Sequence, residues 1–213
     1  MENRPIQSGR RYLLAFIIGT SIFLLGFALT YSISYIEFNR ISGLQEETSY
    51  QIFKDKLYFS FFEQETCSLS SFEKISTDLR FQGKIIDDLE KKLGKNDARV
   101  LSKKRFYSLV ELEHFEFVKQ MNEKCNSNIP TILFFYSNKD EDIDKSENVG
   151  SFLDAMVSNN PKLIVYVFDI NLDDDLVKEL KTKYNVNSSP TLIINENTLL
   201  MNPRNIAEIE DFI

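Results

Sequence analysis

The residues of this chain with chemistry to offer are few and far apart. They are two cysteines, Cys67 and Cys125, one histidine, His114, an acidic run from Asp140 to Asp144, and a Ser188-Ser189-Pro190 turn. An even cysteine count in an oxidising compartment suggests one disulfide, and closing the loop between the two would contribute about 4 kcal/mol by the chain-entropy model. Two buried free thiols and a redox-active pair are the other readings. A redox role needs an exposed thiol of low pKa. Cys125, beside Lys124 and near Lys119, has the better electrostatic position, although it lies on an apolar stripe.

His114 has no second histidine and no nearby Cys-x-x-Cys to complete a metal or catalytic set, so a hydrogen-bonded core histidine is expected. Asp140, Asp142 and Asp144 match the first three ligand positions of a calcium-binding EF-hand loop. Lys145 then stands where the glycine belongs and Ser151 where the bidentate glutamate belongs, so a solvated loop that caps the next helix is expected. Asn187-Ser188-Ser189 fits a glycosylation sequon but sits in a tight turn before Pro190. There is no Gly-rich phosphate loop, no Gly-x-Ser-x-Gly and no zinc-ligand spacing, and no metal or cofactor is implied.

These residues hang on three kinds of segment. Tyr12 to Tyr35 carries no formal charge and exceeds the roughly 20 apolar residues needed to cross a bilayer. Arg4, Arg10 and Arg11 precede it, whereas Glu37 and Arg40 follow. The positive-inside rule then puts residues 1–11 in the cytoplasm and residues 36 onward outside a cell membrane. Membrane lipid is the partner this segment implies. A cleaved signal peptide, with Ser32-Ile33-Ser34 as a poor cleavage site, is the rival reading; its apolar core is usually shorter. The net charge of −7 argues against a nucleic-acid partner.

After a linker over 36–45, residues 46–126 read as helical. Tyr50, Phe53, Leu57, Tyr58, Phe61 and Phe62 recur at spacings of three and four. So do Phe72, Ile75, Leu79, Ile86, Leu89 and Leu93, after a break at Ser68-Leu69-Ser70-Ser71 suited to an N-cap. Gly94 with Asn96-Asp97 ends that helix and caps the next, whose stripe is Tyr107, Val110, Phe117, Val118, Met121 and Cys125. A disulfide would tie the end of the first helix to the end of the third.

Residues 129–213 alternate differently. Strands are expected at 131–137, 162–170, 191–195 and 198–201, with helices at 146–159, 173–185 and 204–213. The first two strands are continuous apolar runs, as buried parallel neighbours should be. Asp173-Asp174-Asp175 open a helix at its positive end.

This β-α-β-α-β-β-α order, with Pro190 between a helix and the Thr191-Leu192-Ile193-Ile194 strand, resembles the thioredoxin-like superfamily. The resemblance implies an α/β thioredoxin-like fold, preceded by the helical region and one transmembrane helix. It makes Pro190 the family's cis-proline, and Ser189 a residue whose backbone meets an extended peptide. It does not carry over the cysteine pair. Where the family has Cys-x-x-Cys, this chain reads Asn138-Lys139-Asp140-Glu141-Asp142-Ile143-Asp144-Lys145-Ser146. Four acids there would raise a thiol's pKa even if one were restored. The expected function is therefore a membrane-anchored, extracytoplasmic thioredoxin-like protein, redox-inactive at the usual site. It would bind peptide or assemble with another envelope protein through Ser189, Pro190 and Thr191. The alternative is an atypical thiol-disulfide oxidoreductase using Cys67 and Cys125.

Overall fold

The computed structural model describes the backbone of residues 9–61, 67 and 69–213, and the side chains of 9–36, 67, 72–73 and 75–213. The chain falls into two compact units, Met1–Lys54 and Asp55–Ile213. Helix α1 (Gly9–Phe61) opens the first. Its segment Gly9–Ile36 has a mean hydropathy of 2.3 and no buried residue, and is long and apolar enough to cross a membrane. Thr30 and Ser32 donate their hydroxyls to the carbonyls of Gly26 and Ala28, so these polar groups are satisfied within the helix, as a bilayer requires. The linker expected over 36–45 is helix instead. That stretch holds no proline and a single glycine, Gly43, so nothing in it forces the helix to stop. Residues 1–8 of the expected cytoplasmic segment, and the side chains from Tyr50 to Phe62, lie outside the described residues.

In the second unit α2 (Leu69–Leu93) and α3 (Ala98–Cys125) form a hairpin. Gly94, at φ +91°, ends α2, its N–H donating to Glu90 O at 2.9 Å. Asp97 caps α3 by accepting from Arg99 N at 2.9 Å. Both events fall where the sequence places them. Buried Phe72, Ile75, Leu79 and Leu89 form the inner stripe of α2. Gly83 is needed there, because a Cβ would lie 2.7 Å from the Tyr107 hydroxyl, which donates to Leu79 O.

Four strands follow, in the spatial order β2-β1-β3-β4. β1 (Thr131–Tyr136) is parallel to β2 (Ile164–Asp169), with Leu133 opposite Tyr166. β3 (Thr191–Ile194) runs antiparallel to β1, and β4 (Thr198–Met201) antiparallel to β3. Helix α4 (Ile143–Asn159) makes the crossover between the parallel pair. Helix α5 (Asp175–Lys183) is capped by the Asp174 carboxylate, which accepts from Leu176 N and Val177 N. One face of the sheet meets α4 in a wholly apolar cluster that includes Ile132, Phe134, Val149, Leu153, Leu192 and Ile209. Alternate residues point to the other face, where Tyr166 packs edge-on against Phe115 of α3. The last helix, expected over 204–213, shrinks to one turn, α6 (Ala207–Glu210). Of that turn only Ile209 is buried, too little apolar contact to hold a longer helix.

Candidate functional site

Three serines meet where β1 ends, where α4 begins and where the turn before β3 closes. Ser146 lies in the first turn of α4 and is buried. Its Oγ accepts from Ser137 N at 3.1 Å and lies 3.2 Å from Ser189 Oγ. Ser189 Oγ in turn reaches Phe135 O at 3.5 Å. Ser137 Oγ accepts from Asn171 Nδ2 at 2.7 Å and from Lys139 N at 3.1 Å. The Ser189-Pro190 bond is cis and Pro190 is buried. Pro190 O accepts from Asn202 N, and Ser188 O accepts from Thr191 Oγ1 at 2.8 Å. Among the described residues no backbone hydrogen bond engages the N–H or C=O of Ser189.

Thus Ser189, Pro190 and Thr191 come together with Ser137 and Ser146, which the sequence reading did not single out. The signal for Ser146 was present, since it is the only hydroxyl between Ser137 and Ser151. Thr191 turns inward and is 1% exposed, so its side chain serves the turn rather than the surface. The acids beside the cluster point outward. Asp142 stands at the N-cap of α4 without a side-chain cap bond and pairs with Lys145 at 3.6 Å, so the expected capping role fails there. No group of three or more metal-ligating side chains gathers among the described residues.

The second polar feature is buried under α3. Lys104, Ser108, Glu111 and His114 follow at spacings of four, three and three, and are buried on the inner face of α3 among Val100, Phe115 and Val118. Lys104 Nζ pairs with Asp169 at 2.9 Å, forms an ion pair with Glu90, and sits 5.3 Å from the Tyr136 ring centre. Burial works against its charge, but Tyr136, Asp169 and Glu90 more than offset that and hold its pKa above the ordinary lysine value. His114 bridges two elements, Nδ1 to Tyr166 Oη at 2.8 Å and Nε2 to Ser76 Oγ at 3.1 Å. Burial, and secondarily the charge on Arg80, lower its pKa to about 4, so it is neutral at pH 7. This is the core histidine that the sequence implied.

Glu111 is fully buried. Its Oε1 accepts from Val167 N at 2.7 Å, closing a donor on the outer edge of β2. Oε2 has no hydrogen-bond partner. Burial drives the Glu111 pKa well above the usual carboxylate range, and the Val167 N–H only partly opposes it. These groups fasten α2 and α3 to the sheet. None of them reaches the serine cluster except through Asp169, which also accepts from Asn138 Nδ2 at 3.1 Å.

Cys67 and Cys125 form a disulfide with a Cα–Cα distance of 5.6 Å. Cys67 lies in a turn ahead of α2, and residues 62–66, over which the first helix was expected to end, lie outside the described residues. It is exposed, and Cys125 is half-buried at the last residue of α3.

No protein-family model matches this chain, and no curated protein matches it by sequence. Among solved structures it is similar to thioredoxin O2 from Arabidopsis thaliana in the oxidized state. The identity is 14% over 46% of this chain and 83% of that one, with a TM-score of 0.33. The overlay is loose. The thioredoxin-like fold stands instead on the strand order, the parallel β1–β2 pair with its α4 crossover, and the cis-proline ahead of β3. These features give a thioredoxin-like α/β fold, on a chain with one candidate membrane helix among its described residues.

Proposed function

We propose that this chain is a membrane-anchored, extracytoplasmic protein that holds an extended segment of another envelope protein beside Ser189 and Pro190. It performs no thiol chemistry at the loop after β1. The observation that carries this reading is the unclaimed backbone N–H and C=O of Ser189, in a turn fixed from behind by Ser146, Phe135 O and Asn202 N. A rigid turn with a free donor and acceptor is what strand addition uses, and strand addition needs no thiol. Hydroxyls and an amide occupy the place where a reactive pair would sit. The arginines ahead of the apolar segment favour an outward-facing C-terminal part.

A photo-crosslinking residue at exposed Asn187, in the full chain in its native membrane, tests this. A discrete adduct is expected, absent when the crosslinker sits at Glu179 on α5. It should be lost when Ser188→Trp fills the approach to Ser189. Equal adducts at Asn187 and Glu179, or an adduct indifferent to Ser188→Trp, would refute the peptide-binding reading.

The exposure of Cys67 favours one second reading, a thiol-disulfide oxidoreductase with relocated cysteines. The reduced pair would attack a substrate disulfide through a Cys67 thiolate. A mixed disulfide would form, and Cys125 would then displace the second substrate thiol. Redox titration with alkylation read by mass separates the cases. Reduction only below about −300 mV marks a staple, whereas reduction between about −120 and −230 mV marks an enzyme.

A further inference from the structure

The layer beneath α2 is incompletely filled. A cavity of about 240 Å³ lies between α2, α4 and β2, walled by Leu79, Phe134, Leu153, Val157, Val165 and Val167. A second, of about 220 Å³, adjoins it at Tyr107, Phe134 and Val167 and extends toward Gly83 and Ile86 of α2. Each is larger than the roughly 150 Å³ apolar cavity that stays dry and admits benzene. Crowding does not require the glycine on the α4 wall. A Cβ at Gly150 would meet only Phe134 Cε1, at 3.8 Å, so alanine would fit and the helix would gain about 1 kcal/mol from it. Glycine here preserves width.

The hydroxyls that reach the first cavity are already engaged, and the charged side chains of Glu90, Lys104 and Asp169 on the second pair with one another. Tyr107 Oη donates to Leu79 O at 3.2 Å, and Ser76 Oγ pairs with His114. A polypeptide occupant, with a donor and an acceptor at each residue, would go unsatisfied among these side chains, whereas a hydrocarbon chain loses nothing. Two charged residues stand on the first cavity's lining, and both are exposed, Arg80 and Asp154. Arg80 Nε donates to Ser76 O at 3.2 Å, which fixes the base of the guanidinium; its two Nη groups have no partner among the described residues. A guanidinium held in this way presents a planar fork that a carboxylate matches with two hydrogen bonds. Asp154 opposes an anion there, so the charge at the mouth can be tested with opposite signs.

We propose that this trough binds a single unbranched hydrocarbon chain ending in a carboxylate, a long-chain fatty acid. Arg80 holds the head, and the chain lies against Leu79, Phe134, Leu153 and Val157. The site is separate from the Ser189 turn and does not depend on the peptide-binding reading.

The test uses the full chain in phosphatidylcholine nanodiscs with a diazirine-bearing fatty acid, followed by peptide mapping of the adducts. Labelling of peptides containing Leu79 and Leu153 to Val157 is expected, in addition to labelling of Gly9–Ile36 by membrane-dissolved probe. Arg80→Gln, an exposed change that spares the core, should lower labelling of the trough about fivefold, the worth of a partly exposed ion pair. Asp154→Asn should raise it. The matching alcohol should label the trough as weakly as the carboxylate labels Arg80→Gln. Labelling confined to Gly9–Ile36 overturns the site, and so does trough labelling by a diazirine phosphatidylcholine. Trough labelling unchanged by Arg80→Gln, or equal for acid and alcohol, overturns the carboxylate assignment.

Discussion

The two faces of the sheet are packed by different chemistry. Toward α4 an apolar cluster runs from Ile132 through Leu153 to Ile209, and the buried hydroxyl of Ser146 is the polar contact at the start of the helix. Toward α3 the sheet meets Lys104, Glu111 and His114, each at most 4% exposed, with Asp169 and Tyr166 as their partners. An apolar face gains stability in proportion to area and is indifferent to pH. A buried ionic face gains little net energy, but it penalises every arrangement that leaves a charge or a donor unpaired. The α4 face therefore supplies cohesion. The α3 face determines where the helical hairpin sits, and Glu111 on Val167 N is the clearest instance, because it closes an edge that would otherwise invite another strand.

Breaking the polar face should cost most. Lys104→Ala leaves the buried Asp169 and the partly buried Glu90 without their cation, and about 3–5 kcal/mol of stability should be lost in urea denaturation read by tyrosine fluorescence. The pH response should come next. His114 has a folded pKa of about 4 against 6.5 for the free group. Its contribution is therefore present above about pH 6.5 and is lost as pH falls toward 4, on the order of 3 kcal/mol in all. Glu111 has the opposite sign. Its raised folded pKa gives stability that is complete below about pH 4.5 and is lost as pH rises from there. Above about pH 4.5 the two slopes oppose each other and flatten the curve while both groups act. Glu111→Gln should remove the alkaline slope and leave the acid one, and a wild-type curve that rises steadily to pH 8 would contradict the assignment.

On the apolar face Leu153→Ala should cost about 2–3 kcal/mol, at the low end for buried leucine because the site already borders open space. That loss should be the same at pH 5 and pH 7. The smallest effect belongs to Lys178, exposed and paired with Asp173 and Asp175. Lys178→Ala should leave the midpoint of the same denaturation unchanged.

Much of the domain was legible because its signals are local. Gly94, Asp97 and Asp174 mark helix ends through backbone groups within four residues of themselves, and the apolar run of Thr131–Tyr136 can only be a strand buried on both faces. The serine cluster was half legible. Ser189 and Pro190 were found from the turn, but Ser137 and Ser146 reach Ser189 only because α4 starts directly above the end of β1. The acids of the same loop drew attention by composition and proved to face solvent. Under α3, periodicity counted apolar residues and passed over Lys104 and Glu111, whose partners lie 65 and 56 positions away.

The sequence by itself determined the candidate membrane helix, the order of strands and helices, the absence of a thiol at the loop after β1, and the turn at Pro190. Each follows from chain-local preferences of charge, hydrophobic period or backbone freedom. Tertiary structure alone decided which hydroxyls surround Ser189, that a lysine and a glutamate could be buried, and that room remains beneath α2. Those outcomes depend on groups distant in sequence satisfying or failing to fill one another, and no local preference encodes that.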